Sequence, residues 1–130
     1  MITYIRILIH SPLANAAIAG IAYGAWAYIV NMDHDQDASI MAACMQGISS
    51  FIFTLIITSI ALKLYIYCHD SKQGIIFGWI GSVALLIIFP ALLHYLVGTP
   101  DIIETVAPGI IIGSVYILAL LLHYQKTHDV

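Results

Sequence analysis

Residues 73–100, QGIIFGWIGSVALLIIFPALLHYLVGTP, contain no Asp, Glu, Lys or Arg. As a helix rising about 1.5 Å per residue, this stretch is longer than the roughly 30 Å hydrocarbon core of a bilayer. Three further stretches also lack these four residue types: residues 7–32, 38–62 and 105–125. The sequence therefore predicts an integral membrane protein of the all-α class, a bundle of four transmembrane helices.

The composition agrees with a chain that lies mostly in lipid. It is 62% hydrophobic and 8% charged, whereas soluble domains have about 25% charged residues. Four spans and short connections use nearly all 130 residues. We therefore predict a single four-span domain over residues 1–130, with spans at about 12–31, 38–67, 74–97 and 101–124. No basic patch indicates a nucleic-acid partner, and no nucleophile, phosphate-loop or zinc-protease motif indicates an enzyme.

The charged residues predict an orientation. Threading the spans alternately places every lysine and arginine on one face of the membrane: Arg6, Lys63, Lys72 and Lys126. Five of the seven acids fall on the other: Asp33, Asp35, Asp37, Asp101 and Glu104. By the positive-inside rule the basic face and both termini are cytoplasmic, in a plasma or bacterial inner membrane. The apolar run after Arg6 is short and interrupted, which favours an uncleaved first span over a signal peptide.

Caps and prolines predict where the spans begin and bend. Ser11 followed by proline is a helix-start signal, Thr99 followed by proline repeats it, and Asp37 is expected to cap span 2. Pro90 predicts a kink in span 3. Pro108 leaves two alternatives for span 4: one continuous kinked helix, which we favour, or a short outer helix followed by a shorter span.

Small residues recur at four-residue spacing on three spans. They are Ala16, Gly20 and Gly24 in span 1, Gly74 and Gly78 in span 3, and Gly109 and Gly113 in span 4. Such rows let helix backbones approach closely in lipid. They predict close helix packing within this chain or contact with a second copy or a partner subunit, and the span 1 row is the candidate for the tightest contact.

A polar stripe follows span 2 at the same spacing: Gln46, Ser50, Thr54 and Thr58. Residues four apart share one helix face. Since single hydroxyls in such helices often bond their own backbone, the run as a whole predicts an inward face. That face lines either a partner helix or a substrate path.

His94 and Glu104 form the candidate site at the outer rim, with Gln46 within reach. His94 lies one turn beyond Pro90, and Glu104 lies four residues before Pro108, so its carbonyl loses its helical donor. Ionisable groups beside broken helices are typical of transporters, and a His–Glu pair can move a proton or hold a cation. In the alternative, Glu104 is solvated and His94 bonds a carbonyl.

Cofactors are not expected, although six histidines are many for this length. Haem needs two histidines at one depth in the bundle, and the inner candidates lie at helix ends: His10, His69, His123 and His128. A metal site stays undetermined; His34 with Asp33, Asp35 or Glu104 is one option at the outer surface. Cys44 and Cys68 lie too far apart on one helix for a disulfide.

Three functions are consistent with these patterns. The first is transport, or handling of a lipid or small amphiphile, along the span 2 stripe with His94 and Glu104 at the outer mouth. A bundle this small is expected to have little interior volume, so a second copy or another membrane protein is the expected partner, besides lipid. The acidic outer surface favours cationic or zwitterionic substrates. The alternative is a non-catalytic accessory subunit of a larger membrane assembly; a haem-binding redox subunit is less favoured.

Overall fold

Four helices make up the part of the chain that the computed structural model describes, residues 11–68 and 71–128. They are α1 (Pro12–Asn31), α2 (Gln36–Tyr67), α3 (Ser71–Leu96) and α4 (Ile102–His128). Each is long and apolar enough to cross a membrane. The prediction of an all-helical chain with four candidate spans is therefore confirmed. The expectations that concern Arg6, His10 and His69 lie outside the described residues.

The first two helix starts follow from their caps. The Ser11 hydroxyl accepts from the Ala14 N–H at 3.3 Å, with Pro12 in the first turn, as predicted. α2 begins two residues earlier than expected, at Gln36. Its cap is Asp35, whose carboxylate accepts from the Asp37 N–H at 3.2 Å. The choice of Asp37 as the cap was wrong, because an earlier acid in the same run already satisfies that first-turn N–H.

The turn between α3 and α4 has its own hydrogen-bond pattern. Gly98 has φ 71°, the left-handed conformation that glycine adopts freely. The Thr99 N–H reaches the His94 carbonyl at 3.0 Å and the Gly98 N–H reaches the Tyr95 carbonyl at 3.2 Å, which is a Schellman motif. α4 then begins at Ile102. The helix start predicted from Thr99 and its proline was wrong, because the Thr99 side chain is bonded to His94 instead.

Both internal prolines lie within unbroken helices. α3 continues through Pro90 to Leu96, and α4 continues through Pro108 to His128. Span 4 is therefore one helix, and the broken alternative is wrong. α3 starts at Ser71, three residues before the predicted start of the span, and α4 extends four residues beyond its predicted end.

Glycines of α1 and α3 lie close to the backbone of α2, and the shortest approach is at Gly74, where an added Cβ atom would lie 2.8 Å from the Tyr65 carbonyl oxygen. A Cβ atom added to Gly20 would lie 2.9 Å from the Gly47 carbonyl oxygen, and one added to Gly24 would lie 3.1 Å from the Ala43 carbonyl oxygen. Ala16 of the same row is fully buried. The row that was the candidate for the tightest contact therefore packs α1 against α2 within this chain.

The glycine row on α4 has different neighbours. A Cβ atom at Gly113 would lie 2.8 Å from the Leu86 Cδ1 atom, and one at Gly109 would be 3.7 Å from the Gln46 Nε2 atom. Both nearest neighbours are side chains. The α4 glycines thus leave room beside α4 and do not bring two helix backbones together.

α2 occupies the centre of the bundle. It contacts α1, α3 and α4, whereas within residues 11–68 and 71–128 α1 and α3 do not pack against each other. The apolar core lies towards the C-terminal ends of α2 and α4; its buried members are Ile57, Ala61, Tyr65, Ile117 and Leu121. Helices α1 and α4 make the fewest contacts of any packed helix pair, so a space remains between them.

The charged residues separate to the two ends of the bundle. The turn after α1 meets the turn before α4, where the His34 Nε2 atom lies 2.8 Å from the Asp101 Oδ2 atom. We call this the acidic end, since Asp33, Asp35, Asp37, Asp101 and Glu104 lie there. At the opposite end Gln125 donates to the Ser71 hydroxyl at 3.2 Å. We call this the basic end; its described lysines are Lys63, Lys72 and Lys126.

Candidate functional site

Asn31 joins three chain segments at the acidic end. Its Nδ2 group donates to the Ala27 carbonyl and to the Thr105 hydroxyl, both at 2.8 Å. Its Oδ1 atom accepts from the Asp101 N–H at 3.1 Å, and its own carbonyl accepts from the Ser39 hydroxyl at 2.7 Å. Asn31 and Thr105 are both fully buried. This network closes the acidic end between α1, α2 and α4.

An indole replaces the helical donor that Pro108 removes. Because Pro108 has no N–H, the carbonyl of Glu104 loses its helical partner. The Trp26 Nε1–H donates to that carbonyl oxygen at 2.9 Å. The side chain of Glu104 is exposed. The bond therefore satisfies α4 and ties it to α1, and the carboxylate takes no part in it.

His94 is held at both ring nitrogens. Its Nε2 atom lies 2.7 Å from the Gln46 Oε1 atom, and its Nδ1 atom lies 2.7 Å from the Thr99 hydroxyl. A carboxamide oxygen only accepts, so Nε2 carries the proton and the neutral ring accepts the Thr99 hydroxyl proton at Nδ1. His94 has 0% exposure. In this arrangement the Gln46 amide oxygen faces His94.

A cavity of about 660 Å³ lies beside Gln46, between α1, α2 and α4. That volume is within the usual range of sites for small organic ligands. The whole predicted stripe lines it, together with both α4 glycines: Gln46, Ser50, Thr54, Thr58, Gly109 and Gly113. The expectation of little interior volume was wrong, because the α4 glycines have no side chains to fill the space between α4 and α1.

The cavity opens sideways, on the lateral surface of the bundle. Three of its lining residues, Leu55, Ile112 and Tyr116, are exposed large hydrophobics. A hydrogen bond of 3.1 Å joins the Thr58 hydroxyl to the Tyr116 hydroxyl across this opening. The side of the cavity between α2 and α4 is thus bordered by exposed apolar side chains.

Gln46 presents its amide hydrogens to this cavity. Its Oε1 atom is occupied by His94, and Gln46 is 3% exposed. Within residues 11–68 and 71–128, no atom accepts a hydrogen bond from its Nε2 group. Because buried polar groups are almost always bonded, this pair of hydrogens is available to a bound molecule.

No family model, curated protein or solved structure matches the chain. Its site is therefore interpreted from its own geometry.

The structure brings together some of the predicted site residues and separates others. Gln46 contacts His94, and Ser50, Thr54 and Thr58 line the cavity next to Gln46. The His94–Glu104 pair is not formed, because Gln46 and Thr99 occupy both ring nitrogens and the Glu104 carboxylate is exposed. Glu104 contributes its carbonyl to the helix contact and nothing to the cavity lining.

Three participants were missed from the sequence: Asn31, Thr99 and Trp26. Asn31 marked only the end of the predicted span 1, Thr99 only a cap signal, and Trp26 was given no role in the site. Trp26 had a detectable signal, since the freed Glu104 carbonyl requires a donor. The two partners of Asn31 near α4, Thr105 and Asp101, lie 74 and 70 residues away in sequence and left no local pattern.

Metal ligands do not cluster in the described ranges, 11–68 and 71–128, where no group of three His, Cys, Asp or Glu residues is close enough to hold an ion. His34 and Asp101 form a two-member pair at the surface. Cys44 is exposed, and both Cys44 and Cys68 are free thiols.

Proposed function

We propose that this protein binds an amphiphilic molecule in the cavity between α1, α2 and α4, within the membrane, as part of transport or lipid handling. One observation carries the proposal. The stripe Gln46, Ser50, Thr54 and Thr58 lines a single cavity of about 660 Å³ that opens on the apolar surface of the bundle.

The mixed lining supports an amphiphilic occupant. Apolar side chains of Phe53, Ile57 and Ile110 alternate with the hydroxyls of the stripe. In lipid an apolar chain gains little from leaving its neighbours, whereas an unmet polar group costs several kcal/mol. The buried amide of Gln46 therefore supplies the reason for a head group to enter, and the apolar wall accommodates its chain.

We also propose an orientation. The basic end, with Lys63, Lys72 and Lys126, lies in the cytoplasm, together with both termini, and the acidic end lies outside. A plasma or bacterial inner membrane fits this assignment. We further propose that a second copy or another membrane protein covers the open side of the cavity. Leu55, Ile112 and Tyr116 are exposed there.

Thiol labelling tests the orientation. In a variant in which Cys44 and Cys68 are replaced by serine, Asp35→Cys should react with a membrane-impermeant maleimide added to intact cells. Lys72→Cys should react only after the cells are opened. Reaction of both positions from the same side would contradict the orientation.

Photolabelling tests the binding proposal. The protein is reconstituted into phosphatidylcholine vesicles with a long-chain alcohol that carries a diazirine on its chain, and the labelled peptides are mapped by mass spectrometry. We expect labels on the α2 and α4 residues that line the cavity, such as Phe53 and Ile110, above those on outward-facing positions.

Two phenylalanine variants separate cavity labelling from labelling by bulk lipid. Thr54→Phe fills part of the cavity with an aromatic ring and leaves no room for the probe chain, so labelling of Phe53 and Ile110 should fall to the level of the outward-facing positions. Ile111→Phe adds bulk on α4 at a position that is 63% exposed and outside the cavity, and labelling should not change. Equal labelling in wild type and Thr54→Phe would overturn the proposal.

A further inference from the structure

We propose that the occupant of this cavity is uncharged and carries a hydroxyl head group, which lies between the Gln46 amide and the Leu86 carbonyl. The inference rests on the proposed function above and specifies its substrate class: an alcohol-headed amphiphile such as a long-chain alcohol or a monoacylglycerol. Four observations lead to it: the charge of the lining, the Gln46 donor, the Leu86 acceptor and the length of the cavity.

The lining is uncharged. None of the described residues that border the cavity is Asp, Glu, Lys, Arg or His. The acids of the acidic end lie outside it, and His94 lies behind Gln46, whose amide oxygen it holds. An ion in such a site has no counter-charge and costs several kcal/mol to transfer from water. The expectation of a cationic or zwitterionic substrate, which came from the surface charge, is therefore replaced by an uncharged one.

The donor is the Nε2 group of Gln46, in the orientation that the structure gives its amide. The opposite rotation would place Nε2 on His94 and the amide oxygen on the cavity side, with the ring and the Thr99 hydroxyl exchanging their donor and acceptor roles. With Oε1 on His94, Nε2 lies on the cavity side, where a Cβ atom at Gly109 would approach it to 3.7 Å. His94 is thus a positioning residue for the donor that meets the ligand oxygen.

The acceptor is the carbonyl of Leu86. Pro90 has no N–H, so this carbonyl lacks its donor four residues further along α3. Leu86 and Pro90 both border the cavity, and the proposal places the freed Leu86 oxygen on the cavity side. Carbonyls in α3 point towards the acidic end, so the free oxygen lies at the level of Pro90, one turn before His94. The Trp79 indole does not donate to the Leu86 carbonyl, since its N–H donates to the Ser114 carbonyl at 2.9 Å.

Donor and acceptor lie at neighbouring levels of the cavity. Gly109 of α4 faces the Gln46 amide, and Gly113, one turn later, faces the Leu86 side chain. One helical turn is about 5.4 Å. A ligand hydroxyl can accept a hydrogen bond from the Gln46 amide and donate one to the Leu86 carbonyl. An ether or ester oxygen can only accept, and a carboxylate also carries a charge.

The remaining cavity accommodates an alkyl chain. From Gln46 the lining follows α2 to Ser59, a rise of about 20 Å along the helix. Below the head-group level the lining is mostly apolar, with Ala19, Phe53 and Ile57. Its polar members include Asn15 and the Thr58 hydroxyl, which is bonded to the Tyr116 hydroxyl. The chain would therefore extend towards the basic end, with the open side of the cavity along its length.

Three photoprobes with one alkyl chain and one diazirine position test the head group: a primary alcohol, its methyl ether and the matching carboxylate. In phosphatidylcholine vesicles we expect half-maximal cavity labelling by the alcohol at roughly a tenth of the ether concentration, the difference of about one hydrogen bond. The carboxylate should label least. A monoacylglycerol probe should match the alcohol if glycerol lipids are the source, and only the simple alcohol should label if they are not.

Two variants assign the two hydrogen bonds separately. Gln46→Leu removes the donor and should weaken alcohol and ether labelling by the same factor. Pro90→Ala restores an N–H to the Leu86 carbonyl, leaves the Gln46–His94 contact intact and should weaken alcohol labelling to the ether level without changing the ether. Because Pro90→Ala restores a helical bond, it keeps the test decisive even where Gln46→Leu fails to fold.

Several results would overturn this inference. Carboxylate labelling equal to that of the alcohol would contradict the uncharged class, and equal labelling by alcohol and ether would contradict the hydroxyl. In both cases a loss of labelling in Thr54→Phe would leave the proposed function standing. Absence of cavity labelling by every probe would overturn both.

Discussion

Pro108 and Pro90 each remove a helical hydrogen bond, and the protein treats the two freed carbonyls differently. At Pro108 the carbonyl of Glu104 receives the Trp26 indole N–H at 2.9 Å, which also joins α4 to α1. At Pro90 the residue whose carbonyl is freed, Leu86, borders a cavity of about 660 Å³. One proline therefore contributes to closing the bundle, and in our proposal the other leaves an acceptor for a ligand.

The same contrast holds for the two buried carboxamides. Asn31, at the acidic end, uses both its oxygen and its nitrogen in bonds to other segments. Gln46 uses its oxygen on His94 and directs its nitrogen into the cavity. Since lipid offers few hydrogen bonds, fully bonded groups indicate structural closure, and partly bonded ones indicate where a bound molecule is expected.

The largest effect is expected at the closed end, from Asn31→Ala. The change leaves the Asp101 N–H without its acceptor and removes one of the two hydrogen bonds of the buried Thr105 hydroxyl, which keeps its bond to the Asp101 carbonyl, so the free energy of unfolding should fall by about 3 kcal/mol. Reversible unfolding in mixed detergent micelles measures it. Ile29→Ala, at a position 57% exposed on the same helix, should cost under about 0.5 kcal/mol. Similar losses in the two variants would show that the network does not close this end.

Pro90→Ala should act in the opposite direction. A helical N–H for the Leu86 carbonyl and relief of the ring clash are expected to raise the free energy of unfolding by about 1–2 kcal/mol. The same unfolding assay measures this. A decrease would mean that the surroundings of Pro90 already compensate the carbonyl, and the distinction between the two prolines would be lost.

A double-mutant cycle tests the contact at Pro108. Trp26→Phe alone should cost about 1 kcal/mol, because the Glu104 carbonyl then has no donor. With Pro108→Ala in place, a backbone N–H serves that carbonyl, so the same indole change should cost nearly nothing. The coupling energy of about 1 kcal/mol comes from the four unfolding measurements. Additive costs would contradict the assignment of the indole as the replacement donor.

The smallest effect on stability is expected from Thr54→Val. The side chain borders the cavity and is not needed for a contact between helices, so the free energy of unfolding should change by less than about 0.5 kcal/mol. Alcohol-probe labelling should also stay within about twofold, since the head group lies at Gln46. A loss above about 1 kcal/mol would show that this hydroxyl holds helices together.

Much of the fold could be predicted from charge spacing alone, because lipid imposes a length and an apolar composition on each span. The period of the stripe from Gln46 to Thr58 predicted an inward face of α2. The structure buries Gln46, leaves Thr54 and Thr58 half-buried, and places the stripe along a cavity. Packing of Gly20 and Gly24 against α2 was within the alternatives that the spacing left open.

The missed features depend on distant partners. Asn31 and Asp101 are 70 residues apart in sequence, and no local pattern connects them. Thr99 carried a cap signal, but its hydroxyl is bonded to the His94 ring and does not cap α4. The turn at Gly98 brings the hydroxyl and the His94 Nδ1 atom to 2.7 Å. The cavity itself follows from how far α4 lies from α1, a distance that helix periodicity does not specify.

The most direct test of the account is a high-resolution structure of the protein in a phosphatidylcholine nanodisc supplied with a long-chain alcohol. We predict an elongated density in the cavity, with an oxygen within hydrogen-bonding distance of the Gln46 Nε2 atom and its chain directed towards Thr58. A closed, fully packed interface in which Ala19 and Tyr23 of α1 contact Gly109 and Gly113 of α4 would contradict it.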